Sequence, residues 1–311
     1  MLSAMRTWAW LLLVTASRAA SVCPNPQVAA AGVSLEDLAK QYLGDSSYAI
    51  SIALATNART ADGFNYIANP DTIAANARIC VPSMAEARHL RQQWEVYERA
   101  VEEARLPRTT SINSALVSIQ PDQPVTTVAW MRADQVTRLK SANGEWVGTL
   151  ASDTWVTVEP HLQEFCRAFV RDHKPDEAAL TERLEQRLGL SPASSKTYFV
   201  RIRVERPLTL LMFRPCPDPD PSKKDCSLGP PLQTPPQYPL WFLNQYYSSY
   251  GQSLISEFPW TALGYTFDWA TDSRKASRFE RFGESEFVIR AGAPVEIVGK
   301  ETATAEYCAA R

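Results

Sequence analysis

The sequence predicts an α+β protein, with a small strand–helix–helix–strand module, a connector helix and a larger α+β domain whose sheet is mostly antiparallel. Three observations lead to this prediction. Apolar residues recur at helical spacing between Ser34 and Gly44. The segment Met84–Arg105 is rich in Ala, Glu and Arg and lacks Pro and Gly. The segment Tyr198–Glu205 alternates between apolar and polar residues, as a half-buried strand does. Together these patterns favour segregated helices and an antiparallel sheet.

Length and charge limit the classes of function. The 311 residues are enough for two domains and a substantial core. The 32 Lys and Arg residues nearly balance the 34 Asp and Glu residues. This balance excludes an electrostatic argument for nucleic acid or for an anionic membrane surface, so no nucleic-acid partner is predicted.

The N-terminus has the layout of a secretory signal peptide. Met1 and Arg6 precede the short apolar run Trp8–Val14, and small residues follow it. We expect a signal peptide over residues 1–19, with cleavage after Ala19; a retained membrane anchor is the alternative. No other apolar stretch is long enough to span a bilayer. The sequence therefore predicts a secreted or periplasmic protein without a membrane span once the signal is removed.

The chain has six cysteines. An even number in an oxidising compartment indicates disulfides, but sequence alone leaves their pairing open. One pair flanks the first module, a second encloses a short Pro/Asp/Lys loop, and two cysteines are then left. The candidate pairs are Cys23 with Cys80, Cys216 with Cys226, and Cys166 with Cys308.

The first module begins with a capped helix. Ser34 stands where an N-cap should be, Asp37 follows three residues later, and Gly44 stands where the helix should end. A second apolar-faced run covers Tyr48–Ala55. A polar loop and a short extended segment, Arg78–Pro82, complete the unit.

This unit resembles a LysM module, a family that binds N-acetylglucosamine polymers such as peptidoglycan and chitin. The resemblance covers roughly a fifth of the chain. It rests on Ser34-Leu35-x-x-Leu38-Ala39-x-x-Tyr42-x-Gly44, Asn57, Asn69-Pro70-Asp71-x-Ile73, and Ile79-x-Val81-Pro82. It departs from the common pattern at Gly32-Val33-Ser34, where Gly-Asp-Thr is usual, at Asn76, where Gly is usual, and in its long segment Asn57–Ile67.

The resemblance implies a shallow sugar groove between two loops. Backbone groups of the loops would bond the acetamide, and an apolar wall would contact its methyl group and the sugar face. For Asn69 and Asp71 the alternative role is to cap a local turn. A third interpretation is an interaction module without sugar binding. The implied groove residues are Gly32, Val33 and Ser34 in the first loop, with Ile67, Ala68, Asn69, Pro70, Asp71 and Ile73 in the second.

The remaining chain is predicted to form a connector helix and one domain. The predicted boundaries are 28–83 for the module, 84–107 for the connector helix and 108–311 for the α+β domain. The strand predictions are Val125–Arg132, a hairpin of Val136–Lys140 with Trp146–Leu150 around Asn143-Gly144, Thr154–Val158, Tyr198–Glu205, Leu208–Phe213, Phe287–Ile289 and Val295–Val298. The helix predictions are Pro160 to about Phe169, Pro175–Leu188 and Leu240–Tyr250, the last after a Pro-rich loop.

One carboxylate pair suggests chemistry. Glu284 and Glu286 flank a single residue just before a predicted strand, and they resemble the Glu-x-Glu element of ADP-ribosyltransferases. That resemblance implies that the second Glu stabilises a cationic transition state, while Arg201 or Arg203 holds the dinucleotide phosphates. The Ser-Thr-Ser strand of that family is absent here, and a charged turn before an edge strand is the alternative. Whether the protein is an enzyme therefore stays open.

The C-terminal region also looks like a group of uncharacterised secreted bacterial proteins. The similarity supports export and implies no activity. It rests on residues 184–190, 213–219, 259–269 and 285–289. Because no cluster of metal ligands and no phosphate-binding or nucleophile motif is visible, no metal or cofactor is predicted. The leading hypothesis is an exported, cell-wall-associated protein that binds peptidoglycan or a chitin-like glycan; an exported enzyme or toxin delivered by the module is the alternative.

Overall fold

The structure is a computed structural model that describes residues 22–207, 211–229, 231, 235–251, 255, 257–270 and 281–309. The predicted signal peptide lies outside these residues. In the described part of the chain, no helix combines the length and the apolar character needed to cross a membrane.

The N-terminal module has the predicted order of elements. Its strands pair antiparallel, with Val28 opposite Arg78. Ser34 caps the first helix by accepting from the Asp37 amide, and the Asp37 carboxylate accepts from the Ser34 amide in return. Gly44 ends that helix in the left-handed conformation, which glycine adopts without a steric penalty because it has no Cβ. The elements are β1 (Asn25–Val28), α1 (Leu35–Leu43), α2 (Ala49–Asn57) and β2 (Arg78–Val81).

The predicted connector is a long helix, α3 (Met84–Arg105). It packs on the module, since the Ser51 hydroxyl donates to the Ala87 carbonyl and Arg59 pairs with Glu86 at 2.8 Å. On the other side, the Tyr97 ring meets the Trp269 ring edge to face. One hydrophobic cluster therefore runs from the module through α3 into the C-terminal region.

The larger region is built on an antiparallel sheet. Its strands are β3 (Val125–Met131), β4 (Thr154–Val158), β5 (Tyr198–Val204), β6 (Met212–Phe213), β7 (Tyr265–Phe267), β8 (Phe282–Ile289), β9 (Glu296–Ile297) and β10 (Thr302–Ala303). They are arranged in the order β10-β5-β3-β4-β8-β6, with β9 also pairing with β5 and β7 with β8.

Residues alternate between the two faces of this sheet. One face forms a core of Ala129, Val156, Ile202 and Phe287 with their neighbours. The opposite face carries Val128 and Trp130, which pack with two helices and the C-terminal segment. The helices of this region are α4 (Ala133–Arg138), α5 (His161–His173), α6 (Glu177–Arg187), α7 (Tyr238–Tyr250) and α8 (Thr304–Tyr307).

The hairpin prediction is wrong, because neither Val136–Lys140 nor Trp146–Leu150 forms a strand; within the second segment only Trp146 and Thr149 form isolated bridges. Residues 133–138 form α4, in which the Gln135 side chain accepts from the Arg132 amide and Arg138 pairs with Asp134 one turn earlier. These local contacts favour a helix over the extended pairing that Asn143-Gly144 indicates. The turn itself exists, and Lys140 and Trp146 form a single bridge across it.

The strand that carries Glu284 and Glu286 begins earlier than predicted. β8 starts at Phe282, so both carboxylates belong to the strand rather than to a turn before it. Leu208–Phe213 was predicted as a strand; β6 covers its last two residues, and 208–210 lie outside the described residues. The short elements β10 and α8 were not predicted; they lie beside β5 and Cys308.

The three candidate cysteine pairs are all disulfides. They join Cys23 to Cys80, Cys166 to Cys308 and Cys216 to Cys226. The first joins the segment before β1 to β2, and the second joins α5 to the C-terminal segment. Three disulfides fit a secreted protein, because such bonds form and persist in oxidising compartments.

Candidate functional site

The two candidate sugar-binding loops leave the module at the same end. Because β1 and β2 are antiparallel, the loop after Val28 lies beside the loop that precedes Arg78. The Ala29 amide donates to the Ala77 carbonyl, and the Asn76 amide donates to the Ala29 carbonyl. Asn76 has a φ of 64°, a left-handed conformation that asparagine tolerates better than most residues. The loops are thus held together by backbone bonds.

The candidate residues in these loops occupy different environments. Gly32, Ala68 and Asp71 are exposed, while Val33, Ser34, Asn69, Pro70 and Ile73 are partly buried. Ile67 is only 4% exposed and belongs to the core. It is fixed there because the Asn57 side chain bonds both its amide and its carbonyl, at 2.7 and 2.9 Å. The Ile67 side chain therefore does not contribute to a surface wall.

Two polar candidates cap local structure. The Asn69 side-chain oxygen Oδ1 accepts from the Asp71 backbone amide at 2.9 Å, which is the turn-capping alternative given for Asn69 above. Ser34 is the N-cap of α1. The Asp71 carboxylate is exposed.

Glu284 and Glu286 share one face of β8 but have different surroundings. Glu284 is 5% exposed and pairs with Arg187 of α6 at 2.7 Å. Glu286 is 6% exposed, and its Oε1 atom is buried without a hydrogen-bond partner. Burial raises the pKa of Glu286 to about 8, and Arg214 and Trp260 offset part of this rise. Glu284 is thus a structural ion-pair partner, whereas Glu286 is a carboxyl group without a direct cation.

The two arginines proposed as phosphate ligands lie elsewhere. Arg201 lies on the same face of the sheet as Glu286. Arg201 is opposite Val128 on the neighbouring strand, Val128 is opposite Thr157, and Thr157 is opposite Glu286. Three strand spacings therefore separate them. Arg201 pairs with Glu159 at 3.2 Å, and Arg203 pairs with the exposed Glu205 at 2.7 Å. The structure does not bring these arginines to Glu286.

Glu286 lines a cavity of about 490 Å³. The cavity lies between the module, the Val128 face of the sheet and two loops of the larger region. Leu54, Asn57 and Tyr66 supply the module side, and Tyr66 is 61% exposed, so the cavity reaches the surface beside it. A volume in this range is typical of small-molecule sites. Its aromatic lining consists of Tyr66, Tyr97, Trp130, Trp155, Phe258, Trp260 and Phe267.

A polar loop, residues 191–196, closes one side of the cavity. Ala193 and Ser195 both have positive φ values, 62° and 58°, which is unusual for residues with a Cβ. The loop is held by the buried Glu185 carboxylate, which accepts from the Ser194 amide at 2.7 Å, and by the Ser195 hydroxyl, which donates to the Asn57 carbonyl. Burial raises the pKa of Glu185 to about 7.

The basic groups at the cavity have partners of their own. Lys196 Nζ donates to the Trp130 carbonyl at 2.9 Å, and burial lowers the pKa of Lys196 to about 8. Arg132 pairs with Asp134 at 3.0 Å. Arg214 is fully buried and donates to the carbonyls of Gly264, Val117 and Lys223. None of these three cations forms a salt bridge with Glu286 in the described part of the chain.

Sequence reasoning found Glu286 but not the cavity around it. Nothing in the sequence distinguishes Trp155, Phe258 and Trp260 as lining residues, and the loop 191–196 carries no recognised motif. The only signal was a concentration of aromatic residues at 258–269, which is typical of packing as well as of binding.

The described residues contain no group of three or more His, Cys, Asp or Glu side chains arranged to hold a metal ion. Comparison of the chain with protein-family models, with curated proteins and with solved structures returned no match, so the sites are interpreted from their own geometry.

Proposed function

We propose that the protein is exported and binds an N-acetylglucosamine-containing glycan, peptidoglycan or chitin-like, through the two loops at one end of its N-terminal module. The observation that carries this proposal is the antiparallel pairing of β1 with β2, which sets loop 29–34 beside loop 67–77. The order β1-α1-α2-β2 supports it, because the LysM resemblance implies the same order.

The surface that these loops offer is small. The Ile67 side chain belongs to the core, so the apolar wall consists of Ala68, Pro70 and Ile73. Main-chain groups near the exposed Gly32 would bond the acetamide. Because the protein has one such module and no second copy to add avidity, we expect weak binding to a short glycan and measurable retention only on an insoluble glycan polymer.

The test is co-sedimentation of the mature chain with insoluble peptidoglycan and with chitin. Pro70→Glu places a charge in the wall and should weaken retention by roughly tenfold, because a buried charge opposes contact with the sugar face. Leu240→Glu, at a position 66% exposed on α7, is the matched control and should be retained like the wild type. Equal retention of both variants, or no retention of the folded wild-type chain, would refute glycan binding at these loops.

A structural role of the module is the second candidate, and one observation favours it. The Asn57 carbonyl accepts from Ser195 of the cavity loop, and Leu54 and Tyr66 line the cavity. The module thus completes a site of the larger region whether or not it binds sugar. The separation of Arg201 and Arg203 from Glu286 gives no comparable support to ADP-ribosyl transfer.

A further inference from the structure

The cavity beside Glu286 contains an unusual concentration of unsatisfied polar atoms. Thr157 Oγ1, Ser194 Oγ, Trp260 Nε1 and Glu286 Oε1 are all buried without a hydrogen bond of ordinary geometry, and all four residues line this one cavity. The Trp260 side chain nevertheless lies close enough to lower the pKa of Glu286, and the Ser194 side chain lowers that of Glu185. Thr157 and Glu286 are cross-strand neighbours, whereas Ser194 and Trp260 come from separate loops. Native proteins leave few buried polar groups unpaired. Their convergence places several hydrogen-bonding groups around one cavity, where a polar ligand or water can pair with them.

The apolar part of the cavity is lined by aromatic rings that pack against one another. The Trp155 ring lies edge to face with the Phe258 ring at 83° and with the Trp260 ring at 84°, with centroids 6.4 and 6.3 Å apart. Aromatic faces arranged around one space attract cations through the ring quadrupole. They also bury the apolar body of a small ligand.

The charge of the site indicates which ligand fits. Arg214 is the cation whose charge lowers the pKa of Glu286, and its guanidinium donates to three backbone carbonyls and stacks on the Phe287 ring. Among the described residues, Glu286 makes no ion pair, in contrast to Glu284 two positions earlier. A carboxyl group without a direct cation, set beside aromatic rings in one cavity, is complementary to an ammonium group.

We propose that this cavity binds a small organic cation with an apolar body, whose ammonium group pairs with Glu286 and lies against Trp155 and Trp260. The site is separate from the two loops proposed for glycan binding, and the inference does not depend on that proposal.

Binding of such a cation releases a proton. Glu286 is protonated in the empty cavity below its pKa of about 8, and a bound ammonium group favours the carboxylate. Affinity therefore rises with pH up to about 8. Burial lowers the pKa of Arg214 to about 10 and that of Lys196 to about 8, so Lys196 is the second group that can exchange a proton near neutral pH. Burial raises the pKa values of three nearby tyrosines, which therefore stay neutral: Tyr238, Tyr250 and Tyr265. Burial also raises the pKa of Glu257, which lines the cavity.

The test uses three probes that share a phenyl ring and differ in the head group: 2-phenylethylammonium, 2-phenylethanol and 3-phenylpropionate. Each is titrated into the full mature chain by calorimetry and by tryptophan fluorescence. The cation should bind roughly tenfold or more tightly than the alcohol, because only the cation pairs with the carboxylate, and the anion should bind most weakly. Titration of the cation at pH 7 in two buffers of different ionisation enthalpy should show proton release.

The variant Glu286→Gln keeps the shape of the side chain and removes its charge. It should abolish the preference for the cation and the part of the proton release that comes from Glu286, while the alcohol binds as before. Any proton release from Lys196 remains in this variant, which separates the two groups. Trp155→Leu should weaken all three probes.

Three results would overturn the proposal: the alcohol binding as tightly as the cation, the cation binding Glu286→Gln as tightly as the wild type, or no probe binding the folded chain at millimolar concentration. The first and third results are measured on the wild-type chain alone, so they test the proposed cation binding even where a variant fails to fold.

Discussion

The side chains next to Glu284 and Glu286 on β8 decide whether each carboxylate is paired with a cation. Glu284 has a cation at 2.7 Å, whereas Glu286 lies among aromatic rings and forms no ion pair with Arg214, whose guanidinium donates to backbone carbonyls instead. Both residues look the same in the sequence. The difference comes from Arg187 on α6 and from the cavity, which only the folded chain brings to them.

The raised pKa of Glu286 links stability to pH. Between its ordinary value of 4.5 and about 8, the native chain keeps a proton that the unfolded chain loses. The free energy of unfolding should therefore fall as pH rises through this window, by at most roughly 1.4 kcal/mol per pH unit for this one group. We predict that Glu286→Gln flattens this decline, and urea unfolding at pH 5, 7 and 8 measures it.

Two further groups help to interpret this experiment. Burial raises the pKa of Glu185 from 4.5 to about 7, so this residue makes the free energy of unfolding fall as pH rises between these two values, and the same decline remains in Glu286→Gln. Glu284→Gln is the matched control: it loses the ion pair with Arg187 and should be destabilised at every pH without the flattening. A wild-type profile as steep as that of Glu286→Gln would show that the buried carboxyl is not protonated in the native chain.

At the scale of elements, the contact between β8 and α6 positions the carboxylates. Gly283 lies so close to α6 that an added Cβ would be 2.4 Å from the Arg187 carbonyl and 2.1 Å from Thr266 Oγ1. We predict that Gly283→Ala lowers the free energy of unfolding by about 2 kcal/mol or more, because backbone atoms must move apart. Urea denaturation of the variant and the wild type measures the loss.

Gly148→Ala is the control for this close approach. Nothing lies within 4 Å of an added Cβ at Gly148, and its φ is not in the left-handed region. We expect a change within about 0.5 kcal/mol of the wild type. Equal effects of the two substitutions would contradict the close packing of β8 against α6.

At the scale of the whole molecule, the module and the larger region share a core. Leu35 and Ile52 of the module, Tyr97 of α3 and Trp269 of the larger region belong to one cluster. We predict that the mature chain unfolds in a single transition, with coincident midpoints for tryptophan fluorescence and far-ultraviolet circular dichroism. Two separate midpoints would instead indicate a module that folds by itself, as the boundaries 28–83 and 108–311 predict.

This shared core also affects how glycan binding should be measured. The fragment 28–83 lacks β1 residues 25–27, Cys23 and the α3 surface that covers Ser51 and Arg59. Loss of binding by that fragment would report unfolding as readily as a missing site. The full mature chain is therefore the proper sample.

The sequence by itself determined the local elements. The capped helix α1, the long helix α3 and the alternating strand β5 follow from spacing and capping, because these signals lie within a few residues of each other. Sequence also suggested the three cysteine pairs that the structure contains, by position along the chain. It failed at residues 133–138, where a weak local helix competes with an equally local turn signal.

Only the tertiary structure decided where the candidate site residues lie and what they contact. Ile67 was expected in a sugar-binding wall and lies in the core, because Asn57, ten residues earlier, bonds its backbone. Arg201 and Glu286 share a face, yet three strand spacings separate them. The cavity is lined by residues from α2, β4, β8 and two loops, and no spacing along the sequence predicts that these residues lie together. The physical reason is that burial and charge pairing depend on long-range neighbours, whereas helix and strand patterns depend on near ones.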